Sequence, residues 1–268
     1  VCWLGCSGSA FANVISDSQA PVFQRPVIAA TKNDRQQTVA LVQIQTPVQG
    51  ISHNKYTQFD VPNQGIVLNN ARTGASTQLV GAVAANPFLK KGEAHTIVNE
   101  VRSSKASQLA GSIEVAGQKA NLVIANPSGI TVTGAGFINV HEATLSTGHI
   151  THQEQGRFSH NITQGSITIN APKTTANSNN STSNHPNNTD KQITGLGETH
   201  TTDYINLYAK AVAINAQTQA EHAITAVAGT NQISDTGHIT PDPTQISPAP
   251  NTAKTRKNPT TAIDVKLL

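Results

Sequence analysis

The sequence predicts an all-β chain of short stacked strands, a solenoid-sized single domain with tails, and three observations predict it. From Val39 to Gly148 apolar and small polar residues alternate with a period of two, the signal of strands that bury one face. Helical spacing of apolar residues is not sustained anywhere in that stretch. Composition agrees: only 12% of the 268 residues are charged and 4% aromatic, which suits β-branched strands parted by polar turns better than a helix-rich enzyme. A sandwich or a barrel satisfies the same pattern, so both stay open on these grounds.

The elements follow in order. Ile66–Leu68, Ile113–Val115 and Asn121–Ala125 read as strands, continued by Ile130–Thr133 and Phe137–Val140. The alternation resumes at Ser166–Asn170, Tyr204–Tyr208 and Val212–Ala216. Asn139, Asn170 and Asn215 each stand at or next to the end of such a run. In a solenoid, equivalent residues stack about 4.8 Å apart, so these could form an amide ladder; simple abundance of Asn, without an exact repeat, is the alternative.

The ends read differently. Residues 1–12 finish in Ala10-Phe11-Ala12, a signal-peptidase type of site, and read as the remnant of a signal peptide. Cys2 and Cys6 both fall in that remnant, so the rest of the chain relies on packing and strand pairing rather than disulfides. Residues 13–38 are an N-terminal lead-in. Residues 172–198, rich in Asn, Ser and Thr, cannot bury enough surface to offset the entropy of ordering them and read as a mobile insertion between strands. The Asn180-Ser181-Thr182 sequon within it is of the kind chance supplies in such composition. Residues 234–268 read as a Pro-rich linker, ending where a longer chain would continue.

Chemistry is sparse. The net charge of +3 is spread along the chain, which excludes a nucleic-acid footprint. No run reaches the ~18 apolar residues of a membrane helix. Glu93, Glu100, Glu114, Glu142 and Glu154 are scattered and suggest no acid and base pair. His149, His152 and Glu154 could be drawn as a metal set, but no further ligand completes a tetrahedron. The sequence therefore assigns no catalytic residue, no metal and no cofactor. Its most specific features are two Asn-Pro turns. In Asn126-Pro127-Ser128-Gly129 each residue suits its place in a type I turn, and Ile130 opens the next strand. Asn86-Pro87-Phe88-Leu89 begins alike but ends in two large apolar residues, which predicts a tip packed against something.

These turns, with Val61-Pro62-Asn63-Gln64-Gly65-Ile66-Val67-Leu68-Asn69-Asn70, closely resemble the N-terminal secretion domain of two-partner-secretion exoproteins: filamentous haemagglutinins, secreted haemolysins and contact-dependent inhibition toxins. The resemblance extends over Ser52–Tyr56, Ile97–Val101 and Tyr204-Ile205, and covers residues 39–233. It implies a right-handed parallel β-helix with additional short antiparallel hairpins, and export through a dedicated outer-membrane barrel whose periplasmic domains recognise the chain. The destination would be the outer-membrane surface or the medium of a Gram-negative bacterium. The family motifs read Asn-Pro-Asn-Leu and Asn-Pro-Asn-Gly-Ile. This chain keeps Asn86, Pro87 and Leu89 of the first, with Phe88 for Asn, and Asn126, Pro127, Gly129 and Ile130 of the second, with Ser128 for Asn. The resemblance marks those seven residues as secretion determinants; turns needed only for folding are the alternative. Two rivals stand beside it: an adhesin that binds host or neighbouring-cell surfaces directly, and a polysaccharide-active β-helix enzyme, disfavoured by the scattered acids.

Overall fold

The computed structural model describes residues 14–172, 195–197, 202–241 and 262–265. Residues 1–12, most of the 172–198 insertion and most of the 234–268 tail thus lie outside the described residues. What is described is all-β, with two single-turn 3-10 segments, Val22–Gln24 and Glu154–Gly156, and no α-helix among the described residues.

Three ladders organise the chain. The largest is an eight-stranded sheet in the order β1 (Val14–Ser16), β4 (Ile51–Phe59), β8 (Thr96–Val101), β11 (Ala120–Ala125), β14 (Val140–Ser146), β18 (Tyr204–Ala209), β20 (Ala223–Ala228) and β23 (Ala262–Val265). A second ladder runs β13 (Gly136–Ile138), β10 (Ser112–Gly117), β5 (Ile66–Asn70), β3 (Thr38–Gln43) and β2 (Val27–Lys32). The third runs β19 (Ala211–Ile214), β17 (Ser166–Ile169), β12 (Ile130–Val132) and β9 (Ser107–Leu109). From β3 to β20 every pairing within these three ladders is parallel. Antiparallel strands stand at the ends: β1 on β4, β2 on β3 and β23 on β20. Thus β22 (Ile239–Pro241) and β23 both lie inside the 234–268 segment.

The chain visits the ladders in a recurring cycle. After β10 it passes through β11 of the first ladder, β12 of the third, β13 of the second, then β14 of the first again. Where a strand is missing, single bridges keep the cycle: Ala135 with Leu196 and Leu196 with Thr218, both parallel. Beyond a bulge where β11 and β14 begin the register holds, so His53, Val98, Val123, Thr144, Asn206 and Thr225 form one column and Asn54, Asn99, Ile124, Leu145, Leu207 and Ala226 the next.

Period-two alternation explains the core. One cluster collects alternate residues from all three ladders, including Val42, Ile66 and Ile113, Ile97, Leu122 and Leu207, and Leu109, Ile130 and Ile169. Residues on the other face of two ladders are covered from outside by antiparallel strands. The hairpin β6 (Ala75–Thr77) and β7 (Gly81–Val83) covers Val39, Val67 and Ala116. A four-stranded sheet, β15 (His149–His152), β16 (Phe158–Ile162), β21 (Asn231–Ser234) and β22, covers the first ladder: Phe158 packs on Ile51, Val98 and Val123, while Ile162 and Ile233 pack on Tyr208 and Val227.

Two sequence expectations change in detail. Phe137–Val140 is not one strand, because Asn139 has φ 58° and breaks it into β13 and β14; Asn tolerates the left-handed region and here turns a corner between ladders. Its Nδ2 donates to the carbonyls of Val115 and Gly117 at 2.7 and 2.9 Å, so it joins no amide ladder. Asn170 and Asn215 do stack, with Asn215 Nδ2 donating to Asn170 Oδ1 at 3.0 Å.

Candidate functional site

Asn-Pro at a strand end favours a corner, since Asn can bond the backbone two residues on and Pro pre-sets φ. Asn126 ends β11 and turns the chain toward β12. Its Oδ1 accepts from the Ser128 N–H at 2.9 Å, and its carbonyl accepts from the Gly129 N–H at 3.0 Å. The Nδ2 donates to the Lys105 carbonyl and to Ser107 Oγ, both at 2.9 Å. The backbone N–H reaches the Ser146 carbonyl at 2.8 Å. With 0% exposure, this one side chain ties its own turn to the neighbouring strand β9 and has no donor left over. Gly129 sits at φ 109°, where an added Cβ would lie 3.2 Å from the Ser166 carbonyl oxygen. Pro127 and Ile130 are buried, and Ser128 is half-buried, its hydroxyl donating to the Ser103 carbonyl at 3.0 Å.

Asn86 repeats the design at a different corner, ahead of β8. Its Oδ1 accepts from the Phe88 N–H at 3.0 Å, while Nδ2 donates to the carbonyls of Ile44 and Asn69 at 3.0 and 2.8 Å. Its own N–H bonds the Ala71 carbonyl at 2.8 Å. Leu89 is fully buried in the main core, which is the packed tip the sequence anticipates. Pro87 is exposed and Phe88 half-buried, its carbonyl accepting from Thr46 Oγ1 at 2.8 Å. The seven residues therefore form two separate clamps rather than one site. In each clamp the Asn amide is consumed internally, and the surface is left to Pro87, Phe88 and Ser128.

Other polar groups meet where no local pattern foretells it. His53 Nε2 lies 2.9 Å from Glu100 Oε2, and His53 Nδ1 lies 2.6 Å from His152 Nε2 and 3.2 Å from Gln24 Nε2. Burial acts to raise the Glu100 carboxyl, but the His53 hydrogen bond and charge, with Lys55 and the Ile150 N–H, outweigh it and leave it below its usual range. Burial lowers His152. His152 thus joins β4 and β8 rather than His149, because residues three apart on a strand point to opposite faces; His149, His152 and Glu154 all keep exposed surface. Glu114 accepts the N–H groups of Gln78 and Leu79 at 2.7 and 2.8 Å and so fixes the loop of the β6–β7 hairpin. Between the first ladder and its covering sheet lies a cavity of about 280 Å³ lined in part by Asn121, Glu142, Thr144, His160 and Tyr208. His160 is fully buried there, its Nδ1 without a hydrogen bond, and burial lowers its pKa to about 4.

Residues 12–266 match the family of the TPS secretion domain. The chain belongs to that family. It is 39% identical over 264 residues to a toxin CdiA of Yersinia pestis, covering 98% of this chain and 7% of that protein. To the tRNA nuclease CdiA-2 of Burkholderia pseudomallei it is 36% identical over 248 residues, covering 91% and 7%. The crystal structure of a filamentous hemagglutinin secretion domain superposes with a TM-score of 0.64 at 30% identity, over 90% of this chain and 70% of that one. The TPS chain thus spans about 7% of the length of these curated relatives, and the nuclease in one name is a property of that protein. The TPS domain is a secretion domain rather than a catalytic one; exoproteins that carry it are secreted by Gram-negative bacteria through an outer-membrane two-partner transporter. No helix among the described residues is long and apolar enough to cross a membrane.

Proposed function

We propose that this chain is the secretion-targeting domain of a large exoprotein, recognised in the periplasm by the periplasmic domains of a dedicated outer-membrane barrel and exported to the cell surface or medium. The export would serve adhesion, haemolysis or toxin delivery by regions beyond it. Membership of the TPS family is the observation that carries this reading. The fold in this proposal is a right-handed parallel β-helix. The cyclic visiting of three parallel ladders supports the coil, and about 98% of crossovers between parallel strands of one sheet are right-handed.

The clamps fit a chain that is recognised before it folds. Asn86 and Asn126 have no free donor in the folded state, so the transporter meets their side chains only while the rungs are open. After transit, each clamp sets a corner and the next rung templates on the last. Residues 7–268 hold no cysteine, so no disulfide within that stretch obstructs an unfolded passage. An extended segment can add to a sheet edge of the transporter through main-chain hydrogen bonds.

The test is release into the medium, with an intact signal peptide, in cells with and without the barrel partner. Partner-dependent release supports the proposal. Release without the partner, or periplasmic retention of folded protein with it, sinks it. Normal secretion of Asn126→Ile would remove the turn from the mechanism while leaving the domain reading in place.

A further inference from the structure

Stacked rungs bring together residues that no local spacing connects. In the first ladder Glu142 pairs with Tyr204 and Tyr204 with Ala223, so the preceding residues His141, Asp203 and His222 occupy one corner column. The backbone confirms this: the Asp203 N–H donates to the His141 carbonyl at 3.0 Å and the His222 N–H to the Asp203 carbonyl at 2.9 Å. Glu221 stands beside His222, anchored by its N–H on the Thr202 carbonyl at 2.9 Å. One carboxylate oxygen of Asp203, one of Glu221 and one ring nitrogen of His222 lie within 4.8 Å of one another. The Tyr204 ring packs against both neighbouring imidazoles, with centroids 5.6 Å from His141 and 5.4 Å from His222, and so restricts their rotation.

We propose that Asp203, Glu221 and His222 bind a divalent transition-metal ion of the Zn²⁺ class that staples adjacent rungs of the first ladder. The donor set decides the class. One imidazole and two carboxylates suit Zn²⁺, which takes three protein ligands and a water in tetrahedral geometry, whereas Ca²⁺ needs six to eight oxygens. Ligand bonds of about 2.1 Å place ligand atoms roughly 3.4 Å apart; the closing movement falls on exposed Glu221 and His222 side chains. Behind the site, His141 Nδ1 hydrogen-bonds Asp203 Oδ2, the arrangement by which a second residue orients a metal ligand. Lys119 Nζ also lies 3.3 Å from Asp203 Oδ2. Lys119 is the competing cation, and the metal must displace its ammonium group. Because Asp203 and His222 meet only once their rungs have paired, the ion stabilises the folded chain alone.

The experiment uses the full chain with Cys2→Ser and Cys6→Ser, which removes thiol ligands, titrated with ZnCl₂ by calorimetry and followed by thermal unfolding. The expected result is one Zn²⁺ per chain and a melting temperature higher by about 5–10 °C at a hundredfold excess over Kd. His222→Ala and Glu221→Gln, both at exposed positions, should each weaken binding at least about tenfold. Lys119→Met should tighten it. Three outcomes overturn the proposal: no Zn²⁺ bound, affinity unchanged in His222→Ala and Glu221→Gln, or Mg²⁺ and Ca²⁺ bound as well as Zn²⁺.

Discussion

Asn126→Ala isolates what the second clamp contributes. The native side chain makes three hydrogen bonds, to the Lys105 carbonyl, to Ser107 Oγ and from the Ser128 N–H, each at 2.9 Å and at 0% exposure. Removing a buried hydrogen-bonding partner costs about 1 kcal/mol per bond, and more where the group left behind stays dry. The loss is therefore about 3 kcal/mol, which for a domain of this size lowers Tm by about 6–12 °C. Ser128→Ala is the internal control, because it forfeits one bond at a half-buried position and should cost about 0.5 kcal/mol. Thermal unfolding followed by far-UV circular dichroism reads both. An Asn126→Ala Tm within 2 °C of the native value would refute the clamp argument. The corner would then be held by Pro127 and Gly129, and any secretion defect of the variant would have to come from recognition.

Gly129→Ala forces a Cβ at φ 109° and 3.2 Å from the Ser166 carbonyl oxygen, so it should destabilise by about 1–2 kcal/mol in the same assay. Glu114→Ala deprives the Gln78 and Leu79 N–H groups of their acceptor; limited proteolysis should then cut within residues 75–83 before the rest of the chain. Acidification tests His160. Its folded pKa of about 4 lies below the unfolded value near 6.5, so the unfolded state binds the extra proton first. The His160 contribution is therefore intact above pH 6.5 and is lost progressively down to pH 4, by about 3 kcal/mol. Urea titrations at several pH values should show that slope reduced in His160→Leu. A slope equal to that of the native chain would mean that His160 is already hydrated.

How far the sequence reaches is visible in particular residues. The alternation in Asn121–Ala125 and Ser166–Ile169, and the turn residues at 126–129, are properties of a few adjacent side chains, so strands and corners there could be read directly. Asn139 shows the margin of that reading, since its positive φ is set by bonds to Val115 and Gly117 on a neighbouring rung. The seven motif residues were legible as turns. Their division into two self-satisfied clamps was not, because Asn86 reaches Ile44 and Asn126 reaches Lys105, partners 42 and 21 residues away.

What the sequence alone determined is the all-β character, the sharp corners and the family resemblance, because each depends on composition or on neighbours along the chain. Which polar groups meet was decided only by tertiary structure. His53, Glu100 and His152 converge across 47 and 99 residues, and Asp203 meets His141 across 62. Parallel stacking brings whole rungs into register about 4.8 Å apart, so these contacts follow from the lengths of the connections between rungs, and no local pattern records them.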